Sequence, residues 1–175
     1  MIQKLLEAAV AFHGHCCPGL AIGVRACEAV KNDPDLGFVP YGQLICVAEN
    51  DACGVDAIQS LLGCSVGKGN LLLRGYGKQA FSFFDRSSGK ALRLYLRAQK
   101  EEGCSREDWQ QKLLSLPLKE VFTFSTPLFA IPEPPRIFTT IACEICGEGA
   151  AEHKMRLQEG KKVCLQCFKP YDRGW

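Results

Sequence analysis

The sequence predicts a body of mixed helices and strands followed by a small metal-bound module, and three observations carry that prediction. Apolar residues recur at helical spacing over 2–12 and 18–32, on either side of His13-Gly14-His15-Cys16-Cys17-Pro18-Gly19. Apolar or alternating stretches of strand length follow at 44–48, 71–73, 80–84 and 91–97. Two Cys-x-x-Cys knuckles, Cys143 with Cys146 and Cys164 with Cys167, come last.

The composition narrows the field. A chain of 175 residues holds one core of ordinary size and an appendage. The apolar fraction of 47% and charged fraction of 23% exclude wholesale disorder. A net charge of +2, with the signs interspersed, gives no electrostatic case for nucleic acid or a membrane surface. No apolar run is long enough to span a bilayer, and Glu7 interrupts the layout an export signal needs, so a cytoplasmic protein is expected. In a reducing compartment, eleven cysteines read as thiols and metal sites rather than a disulfide framework.

In the first helix Ile2, Leu5, Leu6, Ala9 and Phe12 share a face. In the second, Leu20, Val24, Cys27 and Val30 do, while Gly19 and Gly23 leave room for another element, and Asp33-Pro34 ends it. Pro18 suits a first helical turn and biases Cys17 toward an extended backbone. If 13–17 is extended, His13, His15 and Cys17 point one way, at a helix N-terminus that favours thiolate over thiol. Cys16 then faces away.

Leu44-Ile45-Cys46-Val47-Ala48 reads as a strand buried on both faces. Asp51 is the expected cap of a short helix through Val55, Ile58, Leu61 and Leu62, with Cys53 in its first turn. Gly63 to Asn70 departs from a phosphate loop in spacing and lacks the hydroxyl residue after Lys68. It is either a simple turn or a backbone nest in which Gly67 and Lys68 bind an anion. Cys64, one loop from Cys53, is expected at the same cavity. Residues 80–84 and 91–97 form a hairpin, and Ser105 caps a helix packed through Trp109, Leu113, Leu114 and Leu116. The prolines between Phe122 and Arg136 mark a linker lying against the main body, so the chain divides into a core at 1–130, a linker at 131–139 and a zinc module at 140–175.

The paired knuckles fit a four-thiolate zinc ion, with a redox dithiol pair or an iron–sulfur cluster as alternatives. Glu159-Gly160-Lys161 is the expected hairpin turn between them, and His153 is either a spare ligand or an exposed polar residue. So short a module buries too little apolar surface to fold unaided, and metal would supply the difference. Its basic and acidic residues nearly balance, which weakens a nucleic-acid role.

Three separated motifs, Phe12 to Gly19, Asp51 to Gln59 and Gly63 to Asn70, continued by Tyr76-Gly77-Lys78-Gln79-Ala80-Phe81, resemble the FmdE family, which is named after formylmethanofuran dehydrogenase. The resemblance implies an α+β, thioredoxin-like core with a mixed sheet flanked by helices. It also implies a C-terminal treble-clef zinc finger, whose short closing helix would begin at Cys164 and stop before Pro170 and Gly174. The family name links such chains to the molybdenum or tungsten enzyme that reduces carbon dioxide to a formyl group in methanogenesis. The chains of that enzyme, or another molybdoenzyme, are the implied partners.

The expected function is that of a metal-dependent accessory protein of one-carbon metabolism. His15, Cys17 and Cys53 are the foremost ligands or catalytic groups for a second divalent ion, zinc among the common metals, with His13 and Cys64 in or behind the ligand set. The alternatives are a thiol-redox protein using Cys17 and Cys53, and a non-catalytic adaptor working through its zinc finger. A homodimer is expected from the apolar core of this size.

Overall fold

The computed structural model describes residues 2–37, 39–40, 42–171 and 173. The chain divides into two compact units, Met1–Pro134 and Pro135–Trp175.

In the first unit, α1 (Ile2–His13) and α2 (Pro18–Lys31) precede strand β1 (Leu44–Ala48) and α3 (Gly54–Leu62). Then come β2 (Leu71–Leu73), β3 (Ala80–Asp85), β4 (Ala91–Leu96), α4 (Arg106–Ser115), the single turn α5 (Leu118–Val121) and β5 (Phe122–Ser125). The five strands form one mixed sheet in the order β2-β1-β3-β4-β5. Within it β1 and β2 are the parallel pair, Cys46 opposite Leu71, and α3 makes the crossover between them. The expected hairpin is β3–β4, with Phe81 opposite Leu94 and Phe83 opposite Leu92. This is the α+β sheet with flanking helices; a thioredoxin-like topology rests on the resemblance alone.

The two faces of the sheet are covered differently. Cys46, Ala48, Phe81, Phe83, Leu94 and Phe122 pack against the helices through Leu20, Val24, Cys27 and Ile58. On the other face, Ile45, Val47 and Phe84 are covered by Phe129 from the proline-rich segment, and the Arg74 guanidinium sits 3.8 Å from the Phe129 ring centre. Strand β1 is therefore buried on both sides, which is why its five residues carry no polar side chain.

Helices α2 and α3 cross backbone to backbone. A Cβ on Gly23 would lie 2.2 Å from the Gly54 carbonyl oxygen, and one on Gly19 would lie 3.2 Å from the Cys53 Cβ. The missing side chains at 19, 23 and 54 bring the start of α2 beside the start of α3. Arg25, buried on α2, donates to the carbonyls of Leu114 and Leu116 and so secures the end of α4. Ser105 caps α4 through the Asp108 N–H at 2.9 Å.

The second unit holds two hairpins, β6 (Thr140–Ala142) with β7 (Gly149–Ala151) and β8 (Met155–Gln158) with β9 (Lys161–Cys164). Glu159 and Gly160 both have positive φ, 52° and 77°, which makes a primed two-residue turn joining β8 to β9. The second knuckle corrects an expectation: Cys164 ends β9, residues 165–167 form a turn, and no helix follows among the described residues. Gly174, expected to limit that helix, lies outside them. Among the described residues no helix is long and apolar enough to cross a membrane.

Candidate metal centres

The first unit gathers His13, Cys17 and Cys53, whose ligand atoms all lie within 4.8 Å of one another. Each reaches the spot by a different local rule. Helix α1 runs on through His13, and Gly14, at φ +89°, closes it in the left-handed conformation glycine tolerates. The stretch from 13 to 17 is therefore a helix end and a turn, not the extended segment expected. Cys17 is extended (φ −152°, ψ 162°), as a residue before proline should be, and caps α2: its Sγ accepts from the Leu20 N–H at 3.4 Å. Cys53 sits at the N-cap of α3, in place of the expected Asp51, while Asn50 Oδ1 accepts from the Ala52 N–H just before it.

Polar contacts orient the three groups. The Asp56 carboxylate lies 2.7 Å from His13 Nδ1 and also accepts from the Gln59 amide. A carboxylate there keeps the proton on Nδ1 and leaves the Nε2 lone pair for the cysteine side, where Cys17 Sγ lies at 4.0 Å. That separation is slightly wider than the N–S edge of a tetrahedral zinc site, about 3.6 Å from standard bond lengths. The Asp56 hydrogen bond raises the His13 pKa against a smaller opposing effect of burial. Burial pushes the Cys17 thiol up, but the Leu20 N–H, Cys53 and His13 together bring it below its ordinary value. Burial and the neighbouring Cys17 push Cys53 up. Beside the cluster opens a cleft of about 390 Å³, whose lining includes His13, Cys53, Asp51, Asp56, Val66 and Leu73.

Of the two other expected members of this site, His15 stands beside the cluster and Cys64 lies elsewhere. His15 is exposed, its ring 4.5 Å from that of His13, and it is not one of the three clustered ligands. Cys64 is fully buried, directs its thiol to the Leu44 carbonyl at 3.5 Å, and is pushed up to about 12 by burial. It belongs with the buried thiols Cys27 and Cys46 in the core. The loop from Gly63 to Asn70 is fastened to itself. Lys68 Nζ donates to the Gly63 carbonyl, the Gly69 N–H to Val66 and the Ser65 N–H to Asn70, and Gly67 and Lys68 lie in the turn these bonds close. Asp56 was not singled out in the sequence, although its place three residues after Cys53 puts both on one helical face.

In the second unit Cys143, Cys146, Cys164 and Cys167 cluster in the same way. Cys146 and Cys164 sulfurs are 4.0 Å apart, against about 3.8 Å for the edge of a four-thiolate zinc tetrahedron. The Ile145 and Cys164 N–H groups point at Cys143 Sγ from 3.5 and 3.4 Å. Backbone donors of this kind, those of Cys146 and Cys164 foremost, draw Cys143 down to about 6, while the Cys146 thiol pushes Cys167 up to about 12. Cys143 is thus the thiol readiest to ionise and bind a cation first. His153 is exposed, its ring 3.9 Å from that of Phe138, and is not a fifth ligand.

The fold and the two clusters define a small α+β body with a mixed His/Cys centre, joined to a separate four-cysteine knuckle module. The chain belongs to the FmdE family, described as "FmdE, Molybdenum formylmethanofuran dehydrogenase operon", whose model matches residues 12–123. Residues 136–173 match the model of the prokaryotic dksA/traR C4-type zinc finger. Over 97% of its length the chain is 28% identical to a "Probable S-adenosyl-L-methionine-binding protein" of Archaeoglobus fulgidus, of which it spans 54%. Its fold is similar to that of a "tungsten formylmethanofuran dehydrogenase subunit e (fmde)-like protein" from Syntrophus aciditrophicus. The TM-score is 0.70 at 21% identity, covering 95% of this chain and 91% of the other.

Proposed function

We propose that the first unit works as a metal-dependent accessory protein, with a divalent ion held by His13, Cys17 and Cys53. Mixed imidazole and thiolate donors favour zinc, and three protein ligands beside a cleft are the pattern of a site with an open position. The observation that carries this reading is the Asp56 carboxylate on His13 Nδ1, the outer partner that metal-binding imidazoles commonly have. A bound ion would supply Lewis-acid chemistry to whatever enters the cleft. The chain's own groups do the rest: α2 and the Leu20 N–H favour the Cys17 thiolate, and Val66, Leu73 and Asp51 line the cleft that would receive a ligand.

The family description names the formylmethanofuran dehydrogenase operon, and in this reading the protein serves that enzyme or a related molybdenum or tungsten enzyme without performing the formyl chemistry itself. It acts in the cytoplasm as a homodimer, with a structural zinc in its C4 module. The name of the Archaeoglobus relative makes S-adenosyl-L-methionine a compound to try on the cleft.

Metal analysis of the full chain tests the core assignment. Wild type should hold two equivalents, His13→Ala and Cys53→Ser one each, and His15→Ala two. If the double variant His13→Ala with Cys17→Ser retains as much metal as wild type, the core centre is not a metal site. A redox reading has its own support in the lowered Cys17 thiol beside Cys53. It predicts a reversible disulfide in protein whose core never takes up metal.

A further inference from the structure

On the unit that carries the His/Cys cluster, two adjoining clefts meet at Lys78 and Tyr95. Their volumes are about 590 and 310 Å³. Neither belongs to the cleft beside the metal ligands, whose lining they do not share. Their walls bring together three cations from different parts of the chain, Lys78 before β3, Arg93 within β4 and Arg97 just after it, and among the described residues no carboxylate lines either cleft.

Arg93 is the fixed point. It is 8% exposed, and the buried Glu49 carboxylate takes its Nε at 2.7 Å and its Nη2 at 3.0 Å. That fork holds the guanidinium flat and leaves Nη1 without an acceptor among the described residues. The Arg93–Glu49 pair is neutral as a unit, so the net charge facing the clefts comes from Lys78 and Arg97. Beside the cations lie the exposed ring of Tyr95 and the exposed side chain of Leu128, which offer a flat body an apolar surface. Gln79, which lines the larger cleft, has a buried Oε1 that no donor reaches among the described residues.

We propose that these joined clefts are a second binding site, for a phosphate monoester carried on a planar group. The phosphate oxygens would be held by Lys78, Arg97 and the spare Nη1 of Arg93, with the planar group against Tyr95 and Leu128. A dianion is favoured over a monocarboxylate because two cations beyond the neutral pair face it.

Phenyl phosphate is a suitable probe for the full-length, metal-loaded protein, with binding followed by backbone amide shifts and by calorimetry. Saturable binding should move the amides of 77–79 and 93–97. It should weaken about tenfold in Lys78→Ala and again in Arg97→Ala, the loss of one charge-assisted contact each. Tyr95→Ala should weaken phenyl phosphate more than inorganic phosphate, and benzoate should bind more weakly than either. Lys100→Ala, an exposed cation absent from the lining of both clefts, is the control. Both Lys78 and Arg97 are exposed, so their loss should leave the melting temperature in place. No saturable shift with phenyl phosphate, or equal weakening by Lys100→Ala, would show only diffuse attraction and overturn the proposal.

Discussion

A methyl group at position 23 would meet backbone, not a yielding side chain, since the carbonyl oxygen of Gly54 lies 2.2 Å from where the Cβ would stand. Alanine gains up to about 1 kcal/mol over glycine in a helix, but overpacking of this kind costs about 1–3 kcal/mol and wins here. Gly23→Ala should therefore lower the unfolding free energy and, by parting α2 from α3, separate Cys17 from Cys53. Gly67→Ala, with open space around it and no positive φ, should be neutral within about 0.5 kcal/mol. Denaturant titration of both variants would settle the contrast, and equal stability would refute it. Asp56 makes a second case at this scale. Asp56→Asn keeps the shape but removes the carboxylate from His13 Nδ1, so the affinity of the core centre should fall about 10–100-fold, read by competition with a chromophoric chelator. Unchanged affinity would mean the carboxylate's charge does not support the histidine as a ligand.

Asp85 ends β3 and organises the turn into β4: it accepts from the Ser87 and Ser88 hydroxyls at 2.7 and 2.5 Å and from both of their N–H groups. The Ser88 hydroxyl foremost, then Ser87, hold its pKa below the ordinary carboxylate value. A depressed carboxylate contributes stability that is fully present above the unfolded value, about 3.9, and is lost as pH falls through the folded one. Wild type should thus lose stability relative to Asp85→Asn as the solution is acidified below about pH 4, and parallel curves would refute the assignment. Ser105→Ala should cost about 1 kcal/mol through loss of the α4 cap, with the sheet unchanged in its amide shifts. This hairpin and this cap were legible in the sequence because period-two alternation and a capping serine act within a few residues. The end of α1 was harder to read. Gly14 in fact supplies the stop signal, but the proline effect at Cys17 suggested an extended path, and the two readings aim His15 differently. Cys64 was not legible at all, because its thiol is placed by a contact with the Leu44 carbonyl twenty residues away, which no local pattern announces.

The two units of the chain draw stability from different sources. The first buries a continuous set of apolar side chains between helices and sheet, from Leu20 and Val24 through Phe81, Phe83 and Phe122. Among its described residues the second buries Cys143, Val163 and Cys164 alone, with Ala150, Met155, Cys167 and Phe168 packed at their edges. Three buried side chains, two of them ligands, cannot offset the conformational entropy of two hairpins. A tetrahedral ion held by four thiolates can, since such binding is worth about 10–16 kcal/mol in short zinc peptides. The spacing of the knuckles made this legible in advance, as ligand number and chain closure are local properties; that 164–167 end a strand and turn, where a closing helix was expected to begin, was not, because nothing in the knuckle itself decides between them. Cys143→Ser removes the thiol that its backbone donors bring down to about 6, the one best prepared to bind first. In the full-length variant the amide signals of 140–168 should collapse to unfolded positions while those of α2, β1 and β3 stay dispersed, and a strong chelator should do the same to wild type. If the whole chain unfolds together, the units are one cooperative body; if 140–168 stays folded without metal, the knuckles hold by packing alone and the structural-zinc assignment fails.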